Sequence, residues 1–349
     1  MSRLFYILFL LYIQILFGQE NPPNIILMIG DGMGLSQITT GMYANGNKTS
    51  LEEFDYIGLS KTHSLDYLVT DSAASGTAMA SGVKTLNRTV GIDENNKKQK
   101  SILEICKEKN YNVGLVVTSE IVHATPACFY ANVLSRYDYE DIALQLSEHN
   151  VDLFVGGGKK FFNKRKDKRN LLEEMTSYAF VDDFEEFKDS SSKKIGFLTY
   201  PGEPPPKNLG REPSLEMLTE VSLRKLSKDK SFFIMIEGSQ IDWGGHDNSL
   251  SYILSEFKEF DLAIGKALEF AKADGNTLVI VTADHETGGM ALSGGNVKRS
   301  RVRADFTSGE HSGSMVPVFS YGPYSELFKG IYENTAIFDK MLSAVMSKD

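Results

Sequence analysis

Thiols are scarce in this chain: its 349 residues include two cysteines, Cys106 and Cys128. Two cannot form the dense disulfide framework that holds small secreted scaffolds together. Nor can two thiolates complete a structural zinc site, so any metal must rest on histidines and carboxylates. Whether the two pair with each other is left open by their positions. Positive charge is also in deficit. The formal net charge is −9, which disfavours nucleic acid as a partner because its phosphates would meet a like-charged protein. Long apolar runs are missing beyond the first residues. The single early run, from Leu4 to Phe17, is broken by Gln14 and preceded by one charge, Arg3. Its 14 residues fall short of the ~20 needed to cross a bilayer. Gly18 followed by Gln19-Glu20 suits cleavage, so residues 1–18 are expected to be a secretory signal peptide. Its removal takes away Arg3 and no acid, moving the charge from −9 to −10. A secreted or periplasmic protein with no stable membrane anchor is the expectation.

The remaining residues, 19–349, are read as one large domain. Short branched runs alternate with helix-length segments. The runs are Asn24–Ile29, Tyr67–Thr70, Val113–Thr118, Asp152–Val155, Phe232–Ile236, Thr277–Thr282 and Val316–Tyr321. Such alternation predicts an α/β three-layer sandwich, a largely parallel sheet with helices on both faces. Ile25-Ile26-Leu27-Met28-Ile29 and Leu278-Val279-Ile280-Val281 are apolar without a break, which marks strands buried on both sides. Helices are expected at Ser101–Lys109, Asp138–His149, Ser214–Lys228 and Leu250–Lys272. In the last, Ile253, Phe257, Phe260, Ile264 and Leu268 form a core stripe at helical spacing. Between 156 and 230 the character changes. Seven of the eleven residues from Lys159 to Arg169 are basic, and Pro201 to Pro213 holds five of the ten prolines. This stretch is read as a peripheral insertion of loops and short helices, its basic run a solvated surface.

Four strand ends carry unusual chemistry, and in open α/β sheets ligands collect where strands finish. Ile29-Gly30-Asp31-Gly32-Met33-Gly34 places an acid among glycines. It is not a dinucleotide fingerprint, because Leu35 stands where a third glycine is needed. Thr70-Asp71-Ser72-Ala73-Ala74-Ser75-Gly76 is a helix start of small residues, where Asp71 can cap and the positive helix end favours an alkoxide or a phosphate near Ser72. Glu237-Gly238-Ser239-Gln240-Ile241-Asp242-Trp243-Gly244-Gly245-His246 spaces Asp242 and His246 four apart, so that both can face one metal. The fourth end is Thr282-Ala283-Asp284-His285, a charged pair closing a very apolar strand, costly to bury without a partner. Further on, His311 sits in Gly309-Glu310-His311-Ser312-Gly313. Each motif alone has an ordinary structural reading; their combination does not.

With these motifs in view, the chain resembles the alkaline phosphatase family from about Asn24 to the C-terminus, least across 156–230. The resemblance implies that Ser72 is a phosphorylated nucleophile and that Arg136, in Val133-Leu134-Ser135-Arg136, grips phosphate. It implies two Zn2+ and one Mg2+. Asp242, His246 and His311 would hold one zinc; Asp31, Asp284 and His285 the other; Asp31, Glu237 and Thr125 of His123-Ala124-Thr125-Pro126 the magnesium. Small phosphomonoesters as substrates and a homodimer are further implications. His123 stands where some members have aspartate, and Trp243 and Gly245 where some have lysine and aspartate. His123 is therefore expected to act through water, with Trp243 beside the phosphate's water contacts. A diesterase or phosphomutase of the same superfamily is the nearest rival; a non-catalytic zinc or phosphate binder would need neither Ser72 nor Arg136.

Overall fold

The computed structural model describes residues 22–346; the signal-peptide expectation for residues 1–18 lies outside them. In chain order the strands are β1 (Asn24–Gly30), β2 (Tyr56–Lys61), β3 (Asn112–Glu120), β4 (Leu153–Gly157), β5 (Ala179–Val181), β6 (Ile195–Leu198) and β7 (Phe232–Gly238). They continue with β8 (Thr277–Thr282), β9 (Glu286–Thr287), β10 (Met290–Asn296), β11 (Arg301–Phe306), β12 (His311–Ser312), β13 (Val316–Tyr321) and β14 (Gly330–Glu333). Ten of them form one sheet, ordered β14-β2-β13-β8-β1-β7-β3-β4-β6-β5. All its neighbouring pairs are parallel except the two made by β13.

Successive side chains of a strand point to opposite faces, and β1 uses both. Ile25, Leu27 and Ile29 join one apolar layer, Ile26 and Met28 the other. On the first face lie the helices Ser72–Ser81, Ile102–Glu108, Tyr139–Glu148 and Thr335–Met346. The second carries Leu35–Ala44, Leu215–Leu226 and the 25-residue helix Leu250–Asp274. The expected stripe from Ile253 to Leu268 is buried against the sheet, and the helix stops at Gly275 with a left-handed φ of 74°. This is the three-layer sandwich that the alternation implied.

One expected strand is absent. Tyr67–Thr70 is instead a bend, exposed from Tyr67 to Val69 with Leu68 75% accessible and buried only at Thr70. Its carbonyls are taken by turn contacts: Tyr67 O accepts from Ser64 N, and Val69 O from Asn87 Nδ2. The stretch 156–230 contains β5 and β6, which extend the sheet edge, as well as short helices, loops and the twelve-residue helix Leu215–Leu226. Arg211, buried within it, pairs with Glu256 and Glu259 of the long helix. Cys106 and Cys128 are both buried and free.

Candidate active site

Register brings the strand ends together. β8, β1 and β7 are adjacent, with Ile29 level with both Glu237 and Thr282. Asp31, Glu237, Asp284 and His285 therefore emerge at one edge of the sheet. The glycine after Asp31 is a steric necessity: Gly32 has φ 71°, and a Cβ there would lie 2.7 Å from Asp242 Cα. Its absence lets the helix Gln240–His246, which carries Asp242 and His246, approach the turn.

Ser72 opens a ten-residue helix whose members are all buried. Small side chains allow this depth, and Asp71 caps the helix, its Oδ1 accepting from Ala74 N at 3.0 Å. Ser72 Oγ lies 3.4 Å from Asp31 Oδ2, to which it donates, and 3.4 Å from His285 Nε2. Arg136 Nη1 donates to Asp71 Oδ2 at 2.9 Å, so the residue that caps the serine's helix also holds the arginine beside it. Against the cost of burial, Arg136 keeps the Asp71 carboxyl below its ordinary range.

Three histidines aim Nε2 at the same space. His246 Nδ1 donates to Gly309 O at 2.7 Å, and His311 Nδ1 to Thr70 O at 2.8 Å. Thr287 Oγ1 donates to Asp242 Oδ1 and lies 3.2 Å from His285 Nδ1. These outer contacts fix ring orientation and leave each Nε2 free to accept a cation. Asp242 Oδ2 is 3.3 Å from His246 Nε2, Asp242 Oδ1 3.5 Å from His311 Nε2, and the two Nε2 atoms are 3.1 Å apart. On the other side, His285 Nε2 lies 3.1 Å from Asp284 Oδ2 and 3.5 Å from Asp31 Oδ1. The ligand atoms of Asp31, Asp284 and His285 all fall within 4.8 Å of one another. So do those of Asp242, His285 and His311, which makes the two clusters contiguous.

Electrostatics marks these clusters as cation sites. Asp31 Oδ1, Asp284 Oδ2 and both Glu237 oxygens are buried with no hydrogen-bond partner among the described residues, an arrangement that bare carboxylates do not sustain. Burial, then the neighbouring Asp284 and Asp242, pushes Asp31 well above the usual carboxylate range. Asp284 rises to about 6 through burial and Asp242. Glu237 rises to about 8, chiefly through burial. Asp242, although buried, is held well below the range by His246 and His311. Cations would supply the positive charge that these acids lack, and the mixed oxygen and nitrogen donors of the two clusters suit zinc. Thr125 Oγ1, also buried and unpartnered, accompanies Glu237 in an all-oxygen set of the kind magnesium takes.

A cavity of about 440 Å3 opens over this floor, with Ser72, Arg136, His123, Trp243, His246 and His311 in its walls. His123 and Trp243 meet edge to face at 6.0 Å. The His123 ring, held down to about 3 by burial and by Arg136, is neutral, and its Nδ1 has no hydrogen-bond partner among the described residues. Every residue expected at the site is thus brought to one edge of the sheet. Sequence reasoning missed Thr287, which joins the two clusters, and the second role of Asp71. Thr287 follows His285 by two residues in the same glycine-bounded motif, a signal that was available. The Asp71–Arg136 pair spans 65 residues and has no sequence pattern to reveal it.

Fold and site together define a class: a three-layer α/β protein with a serine beside two carboxylate–histidine clusters. Comparison with known proteins narrows the class to a family. The family model described as alkaline phosphatase matches residues 23–305 and 295–347. Alkaline phosphatase 3 of Bacillus subtilis (strain 168) is 34% identical, over 94% of this chain and 90% of its own. The alkaline phosphatase of Escherichia coli (strain K12) is 31% identical, over 92% of this chain and 86% of its own. Among solved structures, the alkaline phosphatase from the Antarctic bacterium TAB5 matches with a TM-score of 0.90 at 44% identity, covering 95% of this chain and 100% of that one. A histidine-to-aspartate variant of the TAB5 enzyme, with magnesium bound in its M3 site, matches at 0.88 with 44% identity over 93% of this chain and 98% of its own. The chain belongs to the alkaline phosphatase family. Its activity is that of an alkaline phosphatase, a phosphoric monoester hydrolase.

Proposed function

We propose that this enzyme hydrolyses small phosphomonoesters to alcohol and inorganic phosphate through a phosphoserine at Ser72. The observation that carries the reading is the Ser72 hydroxyl, 3.4 Å from Asp31 Oδ2 and 3.4 Å from His285 Nε2 at the floor of the cavity. Asp242, His246 and His311 would hold one Zn2+; Asp31, Asp284 and His285 the second; Asp31, Thr125 and Glu237 one Mg2+. Cations bound there would supply positive charge against the negative charge that develops on the serine and leaving oxygens and would activate water for the second displacement. Magnesium in the TAB5 variant supports a third site of this kind.

The chain's own residues do the rest. Ser72 Oγ attacks phosphorus and forms an Oγ–P bond as the P–O bond to the alcohol breaks, the hydroxyl proton passing through solvent to the departing oxygen, which leaves as the alcohol. The first turn of the helix Ser72–Ser81 contributes N–H groups and the positive dipole end beside the alkoxide. Arg136, fixed by Asp71, offers its remaining N–H groups to two non-bridging oxygens of the phosphoryl group. Water then cleaves the Oγ–P bond, releasing phosphate and restoring the serine hydroxyl. His123 and Trp243, which meet edge to face in the cavity lining, would shape the water contacts of the phosphate. Export through the signal peptide, absence of a stable membrane anchor and a homodimeric state complete the reading. No helix among the described residues is long and apolar enough to cross a membrane.

The covalent step is tested by mixing holoenzyme with a phosphomonoester, quenching in acid and mapping phosphopeptides by mass spectrometry. Phosphate on Ser72, absent in Ser72→Ala, is the expected result. Turnover with no phosphorylated Ser72 at any quench time would remove the covalent intermediate.

A further inference from the structure

Arg136 is not the only arginine in the cavity wall: Arg88 lines the same cavity of about 440 Å3. The two differ in how they are used. Arg136 is committed to Asp71, whereas the exposed guanidinium of Arg88 has no hydrogen bond or ion pair to any described residue. Its backbone, by contrast, is tightly specified. Arg88 N donates to Asp71 Oδ1 at 3.1 Å, and Arg88 O accepts from Arg136 N at 2.8 Å. The preceding Asn87 accepts from Asp71 N through Oδ1 at 3.2 Å and donates to Val69 O at 3.0 Å. Arg88 is therefore registered to the same frame that places Ser72 and Arg136. It also holds a left-handed φ of 72°, a conformation that glycine or asparagine adopts readily and that strains a long side chain. A strained residue with an unpaired charge, fixed beside a substrate cavity, points to a ligand.

We propose that Arg88 is a specificity-determining residue that receives a second anionic group, a carboxylate or a phosphate, on the leaving-group side of the substrate. The inference rests on the phosphomonoesterase reading and adds a preference to it. Arg136 serves the transferred phosphoryl group, so a second fixed cation at the same cavity serves charge elsewhere on the molecule. Arginine suits the task because its planar fork binds carboxylate and phosphate alike with paired hydrogen bonds. The exposed Glu310, which also lines the cavity, is the opposing charge; it favours anions in direct contact with the guanidinium over diffuse negative charge.

The test compares kcat/KM of the metal-loaded enzyme on 3-phosphoglycerate and glycerol 3-phosphate, which differ by a carboxylate, and on fructose 1,6-bisphosphate and fructose 6-phosphate, which differ by a phosphate. Arg88→Gly relieves the left-handed strain and keeps the fold accessible; Arg88→Lys retains charge without the fork. In Arg88→Gly, the preference for the more anionic member of each pair is expected to drop about tenfold, chiefly through KM, because the charge-assisted hydrogen bonds of the guanidinium are lost. A drop confined to the first pair assigns the site to carboxylates, and one confined to the second to phosphates. Arg88→Lys is expected to fall between wild type and Arg88→Gly. Equal losses on both members of both pairs, or no loss on any, would overturn the role of Arg88. Failure of the wild type to hydrolyse any of the four would instead count against the phosphomonoesterase reading.

Discussion

At the scale of single residues, the site depends on groups that serve two masters. Asp71 caps the serine's helix through Oδ1 and holds Arg136 through Oδ2. Arg136 lowers its pKa, which fixes the sign of the linkage. A depressed carboxyl contributes stability that is complete above its unfolded value and fades as pH falls through the folded one. Asn caps a helix as well as Asp does, so Asp71→Asn isolates the arginine pair. The variant is expected to unfold about 1 kcal/mol more easily than wild type at pH 6. The gap should close as the pH drops below 3.8, the ordinary aspartate value. Urea titrations at both pH values read this directly; a gap that persists or widens in acid would show that Arg136 is not what Asp71 stabilises. Arg136→Ala, in turn, is expected to lower kcat/KM roughly a hundredfold while leaving the Ser72 helix capped, measured by steady-state hydrolysis beside circular dichroism.

At the scale of elements, the site is built by strand ends and by glycines that let them converge. Gly32→Ala would force a Cβ to 2.7 Å from Asp242 Cα in a left-handed turn. The helix Gln240–His246 must then retreat, so the variant is expected to bind less zinc per chain and to lose at least about tenfold in kcat/KM. Metal analysis and turnover after gel filtration check both; full zinc occupancy with normal activity would contradict the steric account. The same convergence explains what the sequence did and did not reveal. β1, β7 and β8 were legible because burial on both faces writes an unbroken apolar run. The amphipathic β2 and the exposed β14 lie toward the sheet edge and have no such run. The ribbon of β10 and β11 was illegible, since Met290–Asn296 is mostly small and polar and mostly solvent-exposed. Tyr67–Thr70 misled in the opposite direction, being apolar yet bent around the cavity mouth. Candidate ligands were readable through resemblance, but the partners that aim them were not. Gly309 O, Thr70 O and Thr287 Oγ1 are backbone atoms or a small hydroxyl.

At the scale of the whole molecule, buried acids at the end of the central strands carry charge that bound cations would offset. Among the described residues, Asp31, Asp284 and Glu237 have no hydrogen-bond partners for buried oxygens, so the metal-free protein would carry an uncompensated cost. Chelation at pH 8 is expected to lower the melting temperature by about 5 °C or more, and zinc with magnesium should restore it, because ligands that bind only the folded state stabilise it by mass action. Scanning calorimetry decides this; identical melting with and without chelator would deny these acids a metal-holding role.

Most direct for the central claim is hydrolysis of 4-nitrophenyl phosphate beside its bis-ester from pH 6 to 11. The assay is run on wild type and Ser72→Ala, with chelator and then with restored zinc and magnesium. Monoester turnover that exceeds diester turnover, vanishes in Ser72→Ala and in chelator, and returns with the metals is the expected result. No turnover by folded, metal-loaded protein, or diester turnover exceeding monoester, would contradict it.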